Sequence, residues 1–229
     1  GNERALADLV EARLAPLGHL RLHRDGDCVV ARTELGRAER VVIAGHLDTV
    51  PLLDNLPSRY VVDPAGDYVW GRGACDMKGG VAVMLALAAE LTEPNRDITW
   101  ILYDHEEVEA ASNGLGRLAR HRPDLIEADF AVLMEPTSAR IEGGCQGTIR
   151  VELHTEGVAA HSARAWMGHN AIHDLAPALA TLADYASEEI EVDRLVYREG
   201  LTAVGVTGGV ATNMIPPAAV LTVMPLIHI

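Results

Sequence analysis

The chain has 229 residues, of which 48% are hydrophobic and 4% aromatic, and it carries a formal net charge of −14. This length and apolar content allow one large domain or two smaller ones, with cores built from Ala, Val, Leu and Ile. The acidic balance and the lack of any Lys/Arg cluster argue against nucleic acid or an anionic membrane surface as a partner.

The three cysteines, at positions 28, 75 and 145, lie far apart and show no Cys-x-x-Cys spacing. An odd number of cysteines without a disulfide framework is typical of a reducing compartment. No signal peptide opens the chain, and no apolar run is long enough to span a bilayer. We therefore expect a cytoplasmic protein.

The first half of the chain predicts an alternation of helices and strands. Helices are expected over 2–17, 79–91 and 114–120, the last of them capped by Ser112. Strands are expected over 28–32, 40–44, 98–103 and 128–134, of which the last two are apolar enough to be buried. This alternation is typical of an α/β sheet covered by helices on both faces.

Polar side chains follow three of these strands at the point where each strand ends. The strand over 40–44 leads into His46 and Asp48, the strand over 98–103 into Glu106 and Glu107, and the third into Glu135. Residues two apart on a strand point the same way, so His46 and Asp48 share one face. Because open α/β sheets bind ligands at the carboxyl ends of their strands, we expect these side chains to form a site.

Asp76 lies in a glycine-rich turn over 71–80, directly ahead of an apolar helix. The turn lacks the Lys-Ser/Thr pair of a P-loop and the GxGxxG spacing of a dinucleotide site, so a phosphate site is disfavoured. One histidine and several carboxylates suit a divalent cation such as zinc, and Asp76 is placed to bridge two ions. One of the adjacent Glu106 and Glu107 could then bind metal, while the other takes a proton from water.

The pattern changes near residue 147. Strict alternation over 148–155 predicts a half-exposed antiparallel strand, with Ile149, Val151 and Leu153 on one face. A loop over 161–168, a helix over 170–185, and strands over 201–207 and 220–223 follow. This is an α+β unit, and we expect two domains, over 1–147 and 148–229.

Four motifs, at 45–51, 71–80, 106–107 and 135–137, together resemble those of the dizinc aminoacylase and glutamate-carboxypeptidase-like metallopeptidase family. The stretches 143–148 and 160–173 are most similar to its actinobacterial succinyl-diaminopimelate desuccinylases. The resemblance implies a zinc-peptidase-like mixed sheet flanked by helices, with a smaller α+β lid and dimerisation domain. It also implies hydrolysis of N-succinyl-LL-2,6-diaminopimelate, in lysine and diaminopimelate biosynthesis, by attack of a zinc-bound water.

The same resemblance implies a set of metal ligands. Two zinc ions per subunit, replaceable by Co²⁺, would share Asp76 as a bridging ligand. His46 and Glu135 would hold one ion, and Glu107 would hold the other.

The resemblance implies further roles around the metals. Glu106 would be the general base, and Asp48 would orient His46. His161 would reach the partner subunit's active site in a homodimer and polarise the scissile carbonyl. Asn213 would contact the substrate, and Arg164 would bind one of its carboxylates.

Family members continue beyond the motifs found here and supply a second histidine to the zinc held by Glu107. Nothing in this chain matches that block, and His228 falls on the lid strand, so we expect a C-terminally truncated chain with a weak zinc site at Glu107. The metal motifs do not specify the acyl group of the small-molecule substrate. An acetylornithine deacetylase, a carboxypeptidase-type acyl-amino-acid hydrolase, and an inactive fragment that only dimerises or binds metal therefore stay open.

Overall fold

The computed structural model describes residues 3–144 and 146–227, so Asn2, Cys145 and His228 of the predictions above lie outside it. The described residues form two compact units that divide between Arg140 and Ile141. The catalytic and lid domains expected over 1–147 and 148–229 stay a prediction. None of the described helices has both the length and the apolar character needed to cross a membrane.

Within its described residues, 3–140, the first unit contains seven strands, three α-helices and connecting turns. The strands are β1 (Arg21–Asp25), β2 (Cys28–Arg32), β3 (Arg40–His46), β4 (Arg59–Val61), β5 (Tyr68–Trp70), β6 (Asp97–Tyr103) and β7 (Phe130–Leu133). Five of them form a mixed sheet in the order β1-β2-β6-β3-β7, while β4 and β5 pair with each other. Strand β3 runs parallel to both β6 and β7, whereas β1 and β2, and β2 and β6, are antiparallel pairs.

Helices cover both faces of this sheet. The helices are α1 (Arg4–Leu14), α2 (Gly79–Glu90) and α3 (Gly114–His121). Successive side chains of β6 point to opposite faces: Trp100 and Leu102 pack with α1 and α2, whereas Ile101 and Tyr103 pack with Leu118 of α3. The predicted α/β sheet with helices on both faces is therefore confirmed.

The cap of α3 is Asn113, and the prediction that placed it at Ser112 is wrong. The Asn113 side chain accepts a hydrogen bond from the Gly116 backbone N–H at 3.0 Å. The side chain of an N-cap accepts from the backbone N–H of the second or third helical residue. Because α3 begins at Gly114, Asn113 is the N-cap and Gly116 is the third helical residue.

We expect Asn113→Ala to lower the free energy of unfolding by about 1 kcal/mol, because the backbone N–H of Gly116 loses the Asn113 side chain as its acceptor. Chemical denaturation of Asn113→Ala, of a control variant and of the parent chain measures this loss of stability. Ser112→Ala is the matched control and is expected to change stability by less than about 0.5 kcal/mol. Equal effects of the two substitutions would contradict the assignment of the cap.

Strand β7 is less buried than its apolar sequence predicts. Phe130 is 65% exposed and Leu133 is 54% exposed. Among the described residues β7 pairs only with β3, so it is the edge of the sheet and lacks a second neighbour. The prediction of a strand is right, whereas the prediction that it is buried is wrong.

The described part of the second unit has an antiparallel sheet with one α-helix. Its elements are β8 (Gly147–Thr148), β9 (Val151–Glu156), α4 (Ala176–Ala183), β10 (Glu189–Val192), β11 (Leu195–Arg198), β12 (Gly200–Gly208) and β13 (Ala218–Ile227). Strand β13 pairs with β12, β8 and β9, while β10 and β11 form a separate hairpin. A small core of Ala171, Leu175, Ala219 and Leu221 lies between β13 and the segment leading into α4.

Two local expectations for this unit need correction. The antiparallel strand expected over 148–155 is present as β9, but it is exposed on both faces rather than half-exposed. Val151 and Leu153 are 47% and 41% exposed, because the small core is centred on β13 and β9 lies beside it. The helix expected over 170–185 begins only at Ala176, after a 3-10 turn over His173–Leu175. Pro177 explains this start, because proline fits the first turn of a helix and disrupts later ones.

Candidate metal centre

His46 is the last residue of β3, and its side chain is 1% exposed. The preceding residue is Gly45, where a Cβ would lie 2.5 Å from Cε of Met77 and 3.0 Å from Sδ of Met84, so a larger residue would require the methionine side chains to move. The His46 backbone N–H donates to Sδ of Met77 at 3.1 Å. The end of β3 therefore packs directly on the Asp76 turn and on α2.

The two ring nitrogens of His46 face different oxygen atoms. Nδ1 donates to the backbone carbonyl of Asp48 at 3.1 Å and lies 3.3 Å from Oδ1 of the same residue. Nε2 lies 2.9 Å from Oδ1 of Asp76 and 3.9 Å from Oε2 of Glu135. A histidine whose Nδ1 is held in this way presents Nε2 in one orientation, as metal-binding histidines do.

Three side chains meet closely enough to bind one ion. Ligand atoms of His46, Asp76 and Glu107 all lie within 4.8 Å of one another. Partial burial and the negative charge of Asp76 raise the pKa of Glu107, and burial and its carboxylate neighbours likewise raise the pKa of Glu135. A divalent cation would relieve this repulsion, and imidazole with carboxylates is a donor set that zinc accepts. The residues present therefore fit the metal implied by the sequence.

Asp48 contacts more groups than the sequence predicted. Its Oδ1 accepts from the backbone N–H of Glu106 at 3.0 Å, and its Oδ2 accepts from that of Glu107 at 2.9 Å. Burial opposes ionisation of Asp48, but hydrogen bonds from His46 and these two N–H groups outweigh it and hold its pKa well below the usual range. Asp48 thus links the imidazole to the segment that carries both glutamates.

Lys78 makes a further contact with Asp48 that the sequence did not predict. Lys78 Nζ donates to the Asp48 carbonyl at 2.6 Å, which ties α2 to the same loop. The Asp48 contacts follow from the parallel register of β3 and β6, which pairs His46 with Tyr103 and so brings the two strand ends side by side. No local sequence pattern signals this register.

A cavity of about 180 Å³ opens beside Asp76 and Glu107. Asn55, Arg72 and the exposed thiol of Cys75 also line it. The candidate metal ligands therefore border a space that a small molecule can enter.

Zinc affinity of this centre is expected to rise with pH. In the metal-free chain, burial disfavours charged His46, but hydrogen bonds with Asp48 and Asp76 outweigh burial and raise its pKa to about 9. Because zinc binds neutral imidazole, the ion must displace a proton at any pH below that value. We expect the affinity to increase about tenfold per pH unit between about pH 6.5 and pH 8.5.

Competition with a chromophoric chelator across this range measures that slope. The exposed His121 offers a control, because His121→Ala should leave the slope unchanged whereas His46→Gln should flatten it. A parent chain whose affinity does not depend on pH would contradict the prediction.

The remaining candidates lie in the second unit. The Nδ1 of His161 accepts from the Ala163 N–H at 3.1 Å, which caps a 3-10 turn over Ser162–Met167 that contains Arg164. The backbone N–H of Ser162 donates to the Asn213 carbonyl at 2.8 Å. The structure thus brings the segments of His161, Arg164 and Asn213 together within this unit, and all three residues are exposed.

Comparison with known proteins gives close relatives of greater length. The chain is 52% identical over 222 residues to a Mycobacterium tuberculosis (strain H37Rv) protein described as "Putative succinyl-diaminopimelate desuccinylase DapE". It is 46% identical over 224 residues to the succinyl-diaminopimelate desuccinylase of Corynebacterium glutamicum. Both matches cover 96% of this chain, which spans 62% and 60% of the lengths of these relatives.

Solved structures show the same fold at low identity. A tripeptidase of Staphylococcus aureus Mu50 matches with a TM-score of 0.67 and 19% identity, over 98% of this chain and 61% of its own. The M20 family metallo-carboxypeptidase Sso-CP2 of Sulfolobus solfataricus matches with a TM-score of 0.67 and 17% identity, over 98% of this chain and 65% of its own. The model of peptidase family M20/M25/M40 matches residues 42–221, a range that contains every site residue discussed above. The chain belongs to peptidase family M20/M25/M40.

Proposed function

We propose that this chain acts in a metal-dependent amide hydrolase that removes succinate from N-succinyl-LL-2,6-diaminopimelate. The observation that carries the proposal is the 46–52% identity, over 96% of the chain, to relatives described as desuccinylases of this substrate. The cluster of His46, Asp76 and Glu107 beside an open cavity supports it, because such a reaction needs a divalent cation next to a substrate site.

Zinc is the metal we propose, with Co²⁺ able to replace it. His46 and Glu135 would hold one ion, Glu107 a second, and Asp76 would lie between them. When bound, zinc supplies a Lewis acid that polarises the amide carbonyl and makes water more acidic. The distances from His46 Nε2 to Asp76 and Glu135, 2.9 and 3.9 Å, support this assignment.

Glu106 is the general base in this proposal. Its backbone is anchored to Asp48 at the rim of the carboxylate cluster, so its side chain can take a proton from the attacking water. The same carboxyl group can then deliver that proton to the departing amine. Asp48 keeps the imidazole of His46 in one tautomer and orientation throughout.

The second unit would supply substrate contacts in a cytoplasmic homodimer. His161 would donate a hydrogen bond to the scissile carbonyl of a substrate bound in the partner subunit, where negative charge develops during attack. Asn213 would contact the substrate, and Arg164 would pair with a substrate carboxylate through its planar guanidinium group. Their exposure leaves these side chains accessible to a ligand.

Turnover of two acylated amino acids tests the proposal. Release of succinate from N-succinyl-LL-2,6-diaminopimelate should be lost after treatment with a chelator and restored by Zn²⁺ or Co²⁺. N-acetylornithine should react much more slowly under the same conditions. Faster turnover of N-acetylornithine would replace the proposal with a deacetylase, and no turnover of any acyl amino acid, with one zinc or none per chain, would indicate a non-catalytic chain.

A further inference from the structure

A buried ion pair lies immediately next to the segment that carries Glu106 and Glu107. Asp104 follows the last residue of β6 and is 2% exposed. Arg117 of α3 binds both of its carboxylate oxygens, with Nη2 2.7 Å from Oδ1 and Nη1 3.1 Å from Oδ2. Nδ1 of His105 donates to Oδ2 at 2.6 Å. The start of the glutamate segment is therefore fixed by charged hydrogen bonds with fork geometry.

Arg117 connects this carboxylate to a second part of the sheet. Its Nε lies 3.1 Å from Oδ1 of Asp25, and its Nη2 donates to the Asp25 carbonyl at 2.8 Å. Asp25 ends β1, at the turn into β2. One guanidinium group therefore ties α3, the β1–β2 turn and the end of β6 together.

The backbone of Asp104 packs directly on the first residue of α3. The Gly114 N–H donates to the Asp104 carbonyl at 2.7 Å. A Cβ at Gly114 would lie 2.7 Å from that carbonyl oxygen and 2.9 Å from the Asp104 nitrogen, so only glycine fits here. The end of β6 has no freedom to shift toward α3.

The other end of the segment is fixed by Asp48. Glu106 and Glu107 donate their backbone N–H groups to the Asp48 carboxylate, as described above. Between the two anchors, His105 has a φ of 60°, a left-handed conformation that is uncommon for residues other than glycine. A conformation of this kind persists where the surroundings fix it, and here the His105 bond to Asp104 supplies that constraint.

We infer that Asp104, held by Arg117, is a positioning residue that sets where the backbone of Glu106 and Glu107 leaves β6. The inference rests on the proposed function in one respect, because Glu107 is taken there as a metal ligand. The role inferred for Asp104 differs from a purely structural one, since the geometry of the proposed metal ligands, and not only the stability of the fold, depends on this residue.

The same strand offers a matched control at its opposite end. Asp97, the first residue of β6, is 3% exposed and accepts hydrogen bonds from Thr33, Leu35 and Arg37. It is buried and hydrogen-bonded to a similar extent, but it lies at the end of the strand away from His46 and the glutamates. Asp97→Asn should therefore destabilise the chain without affecting the metal centre.

The test compares Asp104→Asn with Asp97→Asn in the full 229-residue chain. Titration with Zn²⁺ alone should show an affinity about 10–100-fold lower for Asp104→Asn and an unchanged affinity for Asp97→Asn. In the metal-free chains, amide hydrogen exchange of the peptide over 104–109 should accelerate in Asp104→Asn only. Equal zinc affinity and equal exchange in the two variants would overturn the inference.

The hydrogen-exchange measurement tests the positioning role of Asp104 separately from the proposed metal centre. A parent chain that binds no zinc would refute the metal centre, while exchange over 104–109 would still decide the role of Asp104. If Asp104→Asn does not fold, Arg117→Lys takes its place, since lysine keeps the charge but cannot bind both oxygens in a fork. Zinc affinity and exchange of Arg117→Lys that match those of Asp97→Asn would then overturn the inference.

Discussion

Replacement of Glu106 by glutamine is expected to lower kcat for amide hydrolysis by about 10²–10⁴-fold, because the neutral amide cannot take a proton from water. Zinc content should stay at the parent value, since the proposed ligands are other residues. The backbone N–H that bonds to Asp48 is also unaffected by the substitution. Steady-state kinetics with the succinylated substrate, together with metal analysis of the same preparations, measures both quantities.

Glu109 provides the control for this substitution. It lies three residues further along the same segment, and its side chain is exposed. Glu109→Gln makes the same chemical change away from the carboxylate cluster and should leave kcat unchanged. A loss in Glu106→Gln no larger than in Glu109→Gln, or a loss accompanied by departure of zinc, would be incompatible with Glu106 as the general base.

Asp48→Ala is expected to weaken both the fold and the metal centre. The substitution removes the acceptor for two backbone N–H groups and the carboxylate beside His46 Nδ1. A fully buried donor left unpaired costs about 1–3 kcal/mol, and these two donors are partly buried, so the free energy of unfolding of the metal-free chain should fall by about 3 kcal/mol in total. Zinc affinity should fall by about 10–100-fold, because the loop with Glu107 and the imidazole both lose their orientation.

Urea denaturation and zinc competition measure these two effects separately. Because the pKa of Asp48 is lower in the folded chain than in the unfolded one, its stabilisation is present above about pH 4 and is lost as the pH falls through the folded value. Asp48→Asn keeps one acceptor oxygen and should lie between the parent and Asp48→Ala. A variant Asp48→Ala with the parent's urea midpoint and zinc affinity would contradict the role of this carboxylate.

The sequence predicted the central strands and helix of the first unit, whereas strands β1, β4 and β5 were not predicted. Strands β3 and β6 and helix α2 have long apolar patterns bounded by turn residues, so their positions could be predicted within a few residues. Strand β1 was not predicted, because its residues Arg21–Asp25 are mostly charged or polar and gain their structure by pairing with β2. Hairpin β4–β5 was missed for a similar reason, since its residues lie in a stretch rich in turn formers.

In the candidate site, the sequence predicted which residues take part but not the contacts between them. Motif resemblance implied that His46, Asp76 and Glu107 are metal ligands, and the structure brings their candidate ligand atoms within 4.8 Å of one another. That they bind a metal stays a prediction. The backbone bonds to Asp48 and the Arg117 fork on Asp104 could not be predicted. They depend on the register between β3 and β6 and on where α3 packs, which are properties of the folded chain rather than of any local pattern.

The exposed edge strand β7 makes the proposed metal ligands Glu135 and His46 differ in how firmly they are held. Glu135 follows this strand and its side chain is 38% exposed, whereas His46 ends a strand with neighbours on both sides and is 1% exposed. A side chain in a close-packed environment has already lost its conformational entropy on folding, while one at an open edge loses it when it binds. If both side chains bind the proposed ion, His46 would be a preorganised ligand, and much of the entropic cost of metal binding would fall on Glu135. Any contact that restrains β7 would strengthen metal binding without touching a ligand.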